Sequence, residues 1–223
     1  MKLFIDSAST AEIEDCLKKG AIQGITTNPS IISKEPKTDF VEHVKKIVSV
    51  CKKFGGKISL SMEVTSEKAQ EMEKEAIDYA ERIKYSDLYI KIPLTGWDEL
   101  ETIKNLTSRG INVNCTCLFN EAQCLLAAYA GASYVSLFRG RMRDAGIESD
   151  QVISNTRRLL EETGLPSEII AGSIRGPRDV IDSFLAGAHI VTVGVEHIKK
   201  MATHLKSKES ADQFLSDFRK WTK

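Results

Sequence analysis

Eight short apolar runs alternate with amphipathic segments along the whole chain, and this alternation constrains the fold more than any other feature. The strand-like runs fall at about 2–6, 22–26, 57–64, 87–92, 111–116, 133–137, 167–171 and 189–193. Helical patterns occupy about 10–19, 38–53, 66–84, 95–108, 120–130, 150–163 and 176–186. Ser66-Glu67 and Asp98-Glu99 read as helix starts, where carboxylates suit the positive end of the helix dipole. Gly20, Gly110, Gly131, Gly164 and Gly187 each close a helical pattern before the next strand. Strands that alternate with helices pair in parallel, because a parallel neighbour needs a long crossover. Eight such units predict a (β/α)8 barrel, the TIM-barrel architecture. An open doubly wound sheet is the runner-up, but its usual glycine-rich phosphate turn is missing from the sequence.

At 223 residues, with no proline/serine-rich linker, the chain reads as one barrel domain spanning 1–223. A ninth segment, 209–223, carries Phe214, Leu215, Phe218 and Trp221 at helical spacing. It predicts an additional C-terminal helix at about 208–222, which either covers the barrel or docks on a neighbouring subunit. The 31 basic and 31 acidic residues balance, so no global field draws the chain to nucleic acid or to an anionic membrane. No apolar run approaches a bilayer span and the N-terminus does not read as a signal peptide, so a cytoplasmic protein is expected. Five cysteines form no paired framework. Cys115 and Cys117 lack a nearby histidine or a second pair, so no metal site is expected and they read as small apolar residues on the outer face of a strand.

Barrel chemistry sits at the carboxyl ends of the strands, and polar residues collect there in seven of the eight runs. Asp6 ends the first. Thr26, Thr27 and Asn28 end the second, before Pro29. Ser61 and Glu63 share one face of the third by the period of two. Lys91 ends the fourth, Asn114 and Thr116 share a face of the fifth, Ser136 ends the sixth, and Ser173 and Arg175 follow the seventh. Singly, such residues have ordinary explanations: Asp6 is equally a cap for the helix beginning near Ser9, and Lys91 equally a lysine snorkelling from a strand end. Lysine is rarely buried without a partner. Desolvation disfavours an ammonium and frees an amine lone pair, which is what a Schiff-base nucleophile requires.

Together, Asp6, Thr26-Thr27-Asn28-Pro29-Ser30, Ser61-x-Glu63, Lys91-Ile92-Pro93, Asn114-x-Thr116, Phe138-x-Gly140-Arg141 and Ser173-Ile174-Arg175 resemble the transaldolase family, in order and over nearly the whole chain. The chain is similar in length to its small members, which include fructose-6-phosphate aldolases. The resemblance implies that Lys91 forms a Schiff base with a ketose, with Asp6 as acid/base for carbon–carbon cleavage. Glu63 and Thr116 would position a proton-shuttling water. Asn28 and Asn114 would bind the dihydroxyacetone fragment, with Ser136 nearby and Ser61 in support. Arg141, Ser173 and Arg175 would hold the sugar-phosphate terminus. No cofactor is implied. The expected activity is transfer of a dihydroxyacetone unit between sugar phosphates in the pentose phosphate pathway, by a homo-oligomer of five or ten subunits.

Two further readings stay open. In fructose-6-phosphate aldolases glutamine stands at the Glu63 position and tyrosine at the Phe138 position, so these two residues favour transfer over release of free dihydroxyacetone. Arg139 and Arg143 flank Arg141 where the family more often has aliphatic and acidic residues. They either solvate the loop or select a different anionic terminus. A catalytically silent sugar-phosphate-binding barrel is the non-enzymatic alternative, and it would be favoured by loss of the lysine or an acid; neither is lost.

Overall fold

A computed structural model describes residues 1–55 and 57–222. The chain forms eight parallel strands that close in sequence order: β1 (Lys2–Asp6), β2 (Gly24–Thr26), β3 (Ser59–Glu63), β4 (Leu88–Pro93), β5 (Asn112–Leu118), β6 (Tyr134–Phe138), β7 (Glu168–Gly172) and β8 (Ile190–Val193). β1 pairs with both β2 and β8, so no edge is left open and the doubly wound alternative is excluded. Eleven helices are present among the described residues: α1 (Thr10–Lys18), α2 (Pro29–Ile32), α3 (Phe40–Lys53), α4 (Ala69–Ile83), α5 (Glu99–Ser108), α6 (Glu121–Tyr129), α7 (Arg139–Asp144), α8 (Ser149–Thr163), α9 (Pro177–Leu185), α10 (Val195–Met201) and α11 (Leu205–Trp221).

The strand period of two separates two apolar compartments. Outward residues such as Leu60, Met62, Ile90, Ile92, Val135 and Ile169 pack against the helices in one large core. The helices meet it with stripes at i, i+3 and i+4, as Val41, Val44, Ile47, Val48 and Cys51 do on α3. Each fully buried isoleucine or leucine there contributes roughly 1.5–3 kcal/mol. Inside the barrel Phe4, Tyr134, Ile170 and Ile190 form a second cluster. Tyr89 packs on it, with its ring stacked on Tyr134 at 4.2 Å. Gly24 makes room for this floor, since a Cβ at that position would lie 2.4 Å from the Phe4 ring.

Local chemistry sets the helix starts. Ser9, Asp39 and Asn120 accept hydrogen bonds from backbone N–H groups in the first turns of α1, α3 and α6. Ser9 rather than Asp6 is therefore the cap of α1, which leaves Asp6 free to face the barrel. All five punctuating glycines have positive φ. One expected start moves: α4 begins at Ala69 rather than at Ser66, whose backbone N–H instead donates to Glu75. α5 begins at the Asp98-Glu99 start, with Asp98 as its first flanking residue, although its helical pattern reads from about 95 and 94–98 form the loop leaving β4.

The expected C-terminal helix is α11, beginning three residues earlier than read; Lys223 lies outside the described residues. It does not cover the barrel: Phe214, Leu215, Phe218 and Trp221 are all exposed, Trp221 to 81%. Among the described residues no helix is long and apolar enough to cross a membrane.

Candidate active site

Register brings the sequence-predicted residues to one end of the barrel. Glu63 pairs with Lys91, Lys91 with Asn114, and Asp6 with Thr26. Above the aromatic floor lies a cavity of about 230 Å³. Its lining includes Asp6, Asn28, Lys91, Asn114, Thr116, Ser136, Phe138, Arg141 and Ser173.

Lys91 is the centre of this arrangement. Its side chain is 6% exposed, and Nζ lies 2.7 Å from Glu63 Oε2 and donates to the Thr27 carbonyl at 2.9 Å. A buried ammonium without such partners would be strongly unfavourable. The carboxylate also supplies a proton acceptor to the amine from the adjacent strand. The Glu63 side chain is 14% exposed and reaches a second, mostly apolar recess between Thr27, Ile32, Phe40 and Tyr79. It therefore lies in the wall between that recess and the Lys91 cavity.

A second polar chain crosses the barrel at mid-height. Ser136 Oγ donates to Asn114 Oδ1 at 2.6 Å, and Asn114 Nδ2 donates to Ser61 Oγ at 3.1 Å. Ser61 is thus a fully buried support for Asn114 and does not line the cavity. Thr116 Oγ1 is buried without a hydrogen-bond partner among the described residues, although it faces the cavity. Asn28 caps α2, its Oδ1 accepting from Ile31 N, and the residue lines the cavity.

Asp6 accepts from Thr26 Oγ1 at 2.7 Å, and Thr26 in turn shares a 2.5 Å hydrogen bond with Thr192. Burial raises the Asp6 carboxyl above its ordinary value of 3.8, outweighing the hydrogen bond from Thr26 and the charge of Lys91. Ionising Asp6 consequently costs more in the folded chain than in the unfolded one. The penalty is absent below the ordinary value and grows as pH rises through the raised one. Asp6→Asn is expected to match the wild type in thermal stability near pH 3 and to exceed it progressively at higher pH. Unfolding of both proteins across that range measures it, and a pH-independent difference would contradict the buried-acid account. Any reaction that uses the carboxylate should show an acid limb above 3.8 that Asp6→Asn removes.

The far side of the cavity is basic. Arg141 stacks its guanidinium 4.8 Å from the centre of the Phe138 ring, and Phe138 is itself braced edge-on by Phe119. Ser173 lines the same side with φ +58°, a left-handed backbone in a non-glycine residue. Arg175 is not brought to this cavity. Its guanidinium forks onto Asp144, with Nη1 donating at 2.7 Å, beside an adjoining recess. Arg139 and Arg143 also turn away. Arg139 is 3% exposed and pairs with Asp150 and Asp179, and Arg143 joins it on Asp179. Arg139 is thus buried in ion pairs rather than solvating the loop, Arg143 stays half exposed, and neither lines the cavity.

Two features escaped the sequence. Thr192 lines the cavity from β8, and its signal was parity with Ile190 in the barrel interior. Cys117 was expected to point outward with Cys115. Cys115 is fully buried on the outer face, but the β5–β6 register shifts between Cys115 and Leu118, and Cys117 has φ +62°. The bulge places it within electrostatic reach of Glu63, Lys91 and Arg141, and burial and Glu63 push its thiol up. Among the described residues no cluster of three or more His, Cys, Asp or Glu is placed to hold a metal.

Residues 3–222 match the family described as Transaldolase/Fructose-6-phosphate aldolase. A probable transaldolase of Desulfotalea psychrophila is 40% identical, over all of both chains. One from Clostridium acetobutylicum is also 40% identical, over 98% of each. Among solved structures, a thiamine phosphate pyrophosphorylase from Pyrococcus furiosus superposes with a TM-score of 0.65 at 10% identity, covering 90% of this chain and 93% of that one. At that identity the likeness concerns the barrel alone.

Proposed function

We propose that this chain, which belongs to the transaldolase/fructose-6-phosphate aldolase family, is a transaldolase that carries a dihydroxyacetone unit on Lys91 between sugar phosphates. The observation that carries the reading is the placement of Lys91 Nζ: buried, 2.7 Å from the Glu63 carboxylate, in the same cavity as the acid Asp6.

In this reading Lys91, relieved of a proton by Glu63, adds to the ketose carbonyl. The resulting carbinolamine loses water as Glu63, working with the otherwise unpartnered Thr116 hydroxyl, returns a proton to the departing oxygen. The protonated imine then accepts an electron pair. Asp6 removes the proton of the substrate hydroxyl, the adjacent carbon–carbon bond breaks, and its electrons form the enamine as the first aldehyde leaves. A second aldehyde reverses the sequence. Asn114 and Asn28 offer the amide groups that orient the three-carbon unit, and Arg141 with Ser173 offers charge and a hydroxyl to a phosphate.

The partition between the family's two chemistries turns on Glu63 and Phe138, which match the transferring pattern rather than the aldolase one. Donors would be fructose 6-phosphate or sedoheptulose 7-phosphate, and acceptors erythrose 4-phosphate or glyceraldehyde 3-phosphate, within the pentose phosphate pathway in the cytoplasm. The exposed apolar residues of α11 support a homo-oligomer in which that helix docks on a neighbouring copy.

Product analysis tests the proposal. With fructose 6-phosphate and saturating erythrose 4-phosphate, sedoheptulose 7-phosphate should exceed free dihydroxyacetone. Mainly free dihydroxyacetone would replace the transaldolase with an aldolase. In the same assay Arg141→Ala should weaken phosphorylated substrates by roughly 10–100-fold, the loss expected for one charge-assisted contact. Equal losses on unphosphorylated substrates would place Arg141 outside the anion site.

A further inference from the structure

Arg141 and Ser173 stand on separate segments, and one carboxylate ties those segments together. Arg141 belongs to α7, a helix of six residues whose start has no side-chain cap. Such a short helix has little stability of its own. Its first residue, Arg139, is anchored instead by ion pairs to Asp150 on α8 and Asp179 on α9. One turn later Arg143 Nη1 donates to the same Asp179 Oδ1 at 2.7 Å. The other oxygen, Asp179 Oδ2, accepts from the backbone N–H of Arg175 at 3.1 Å, in the loop that carries Ser173. Between these anchors the segments touch closely, because a Cβ on Gly140 would lie 2.1 Å from the Ser173 carbonyl.

We propose that Asp179 is a positioning residue for the anion end of the cavity, holding the Arg141 helix and the Ser173 loop at the spacing a phosphate terminus requires. The inference rests on the assignment of Arg141 and Ser173 to that terminus. Asp179 is 8% exposed. Burial works against its charge, but the Arg175 N–H and the Arg139 and Arg143 guanidiniums more than offset this, so its carboxyl is held below the ordinary range. The cluster is therefore a fixed ionic clasp at neutral pH. Among the described residues none of its hydrogen bonds or ion pairs reaches Lys91, Glu63 or Asp6, which stand on β4, β3 and β1. Loosening the clasp should affect phosphate recognition while sparing the lysine chemistry.

The test compares wild type, Asp179→Asn and Arg143→Ala in two measurements. One is the dissociation constant of inorganic phosphate by calorimetry, and the other is borohydride trapping of unphosphorylated dihydroxyacetone on Lys91. Asp179→Asn should weaken phosphate about tenfold, within the loss expected when a charge-assisted contact is misaligned. Arg143→Ala should weaken it by a smaller factor, and the trapping rate should stay at the wild-type level in both. Arg143 is half exposed, so its variant decides the matter if Asp179→Asn does not fold. Unchanged phosphate affinity in the folded variants, or a parallel fall in trapping, overturns the positioning role. A wild type that fails to trap dihydroxyacetone instead overturns the Schiff-base reading.

Discussion

Lys91→Met is expected to leave no borohydride-stable adduct with fructose 6-phosphate and to lower turnover by roughly 10⁴-fold or more, the scale on which enzymes lose activity when a covalent nucleophile is removed. In the wild type, reduction should fix a three-carbon fragment on the peptide containing Lys91. Methionine follows the lysine side chain as far as Cε, with sulfur in place of Cδ, and lacks the amine, so most of the packing of the stem is retained. The change does leave the Glu63 carboxylate without its 2.7 Å partner. Glu63 retains access to the recess beyond it, which softens the cost of the lost pair. A circular-dichroism melt confirms that the variant being assayed is folded. Mass spectrometry of the reduced wild type then decides: a fragment on any other lysine would overturn the assignment.

The second large effect concerns the fate of the enamine. Glu63→Gln keeps the shape of the side chain but cannot accept the Lys91 proton, so transfer should slow by roughly 10²–10⁴-fold, the usual contribution of a well-placed acid/base group. Phe138→Tyr should act differently. Phe138 lines the cavity with Arg141 stacked on its face and Phe119 against it. A hydroxyl added to this braced ring supplies a proton donor near the enamine without removing the platform for Arg141. Free dihydroxyacetone should rise relative to sedoheptulose 7-phosphate, and rise further in the double variant. Quantifying the two products in one reaction measures the ratio. A ratio that stays constant while total rate falls would make Phe138 a wall residue only.

Periodicity made the barrel legible. A strand of three to seven residues followed by an amphipathic helix repeats often enough that single errors do not change the topology. The gathering of the candidate residues was legible for the same reason, since parity placed Ser61 with Glu63 and Asn114 with Thr116 on shared strand faces. The failures have local causes. α2, α7 and α10 are too short to show a helical period. Ser66 resembled a cap, but Glu75, nine residues on, takes its N–H. Cys117 broke parity because a bulge inserts itself between paired residues. Arg175 and Arg139 could not be placed from sequence because Asp144 and Asp179, which hold them, lie 31 and 40 residues away. Charge composition carries no information about which of two nearby carboxylates and cavities an arginine will choose.

The aromatic floor has a consequence for traffic. Phe4, Tyr89 and Tyr134 plug the barrel axis, so the Lys91 chamber is not a corridor. In the proposed reaction an aldehyde split from the donor would leave upward, along the side where the acceptor would arrive. With about 230 Å³ above the plug, the chamber has little space for donor fragment, departing aldehyde and incoming aldehyde at once. If the chain transfers a unit as proposed, exchange would be a matter of taking turns: the first guest would vacate the room before the second is admitted, and in the interval the three-carbon unit would wait alone on the lysine.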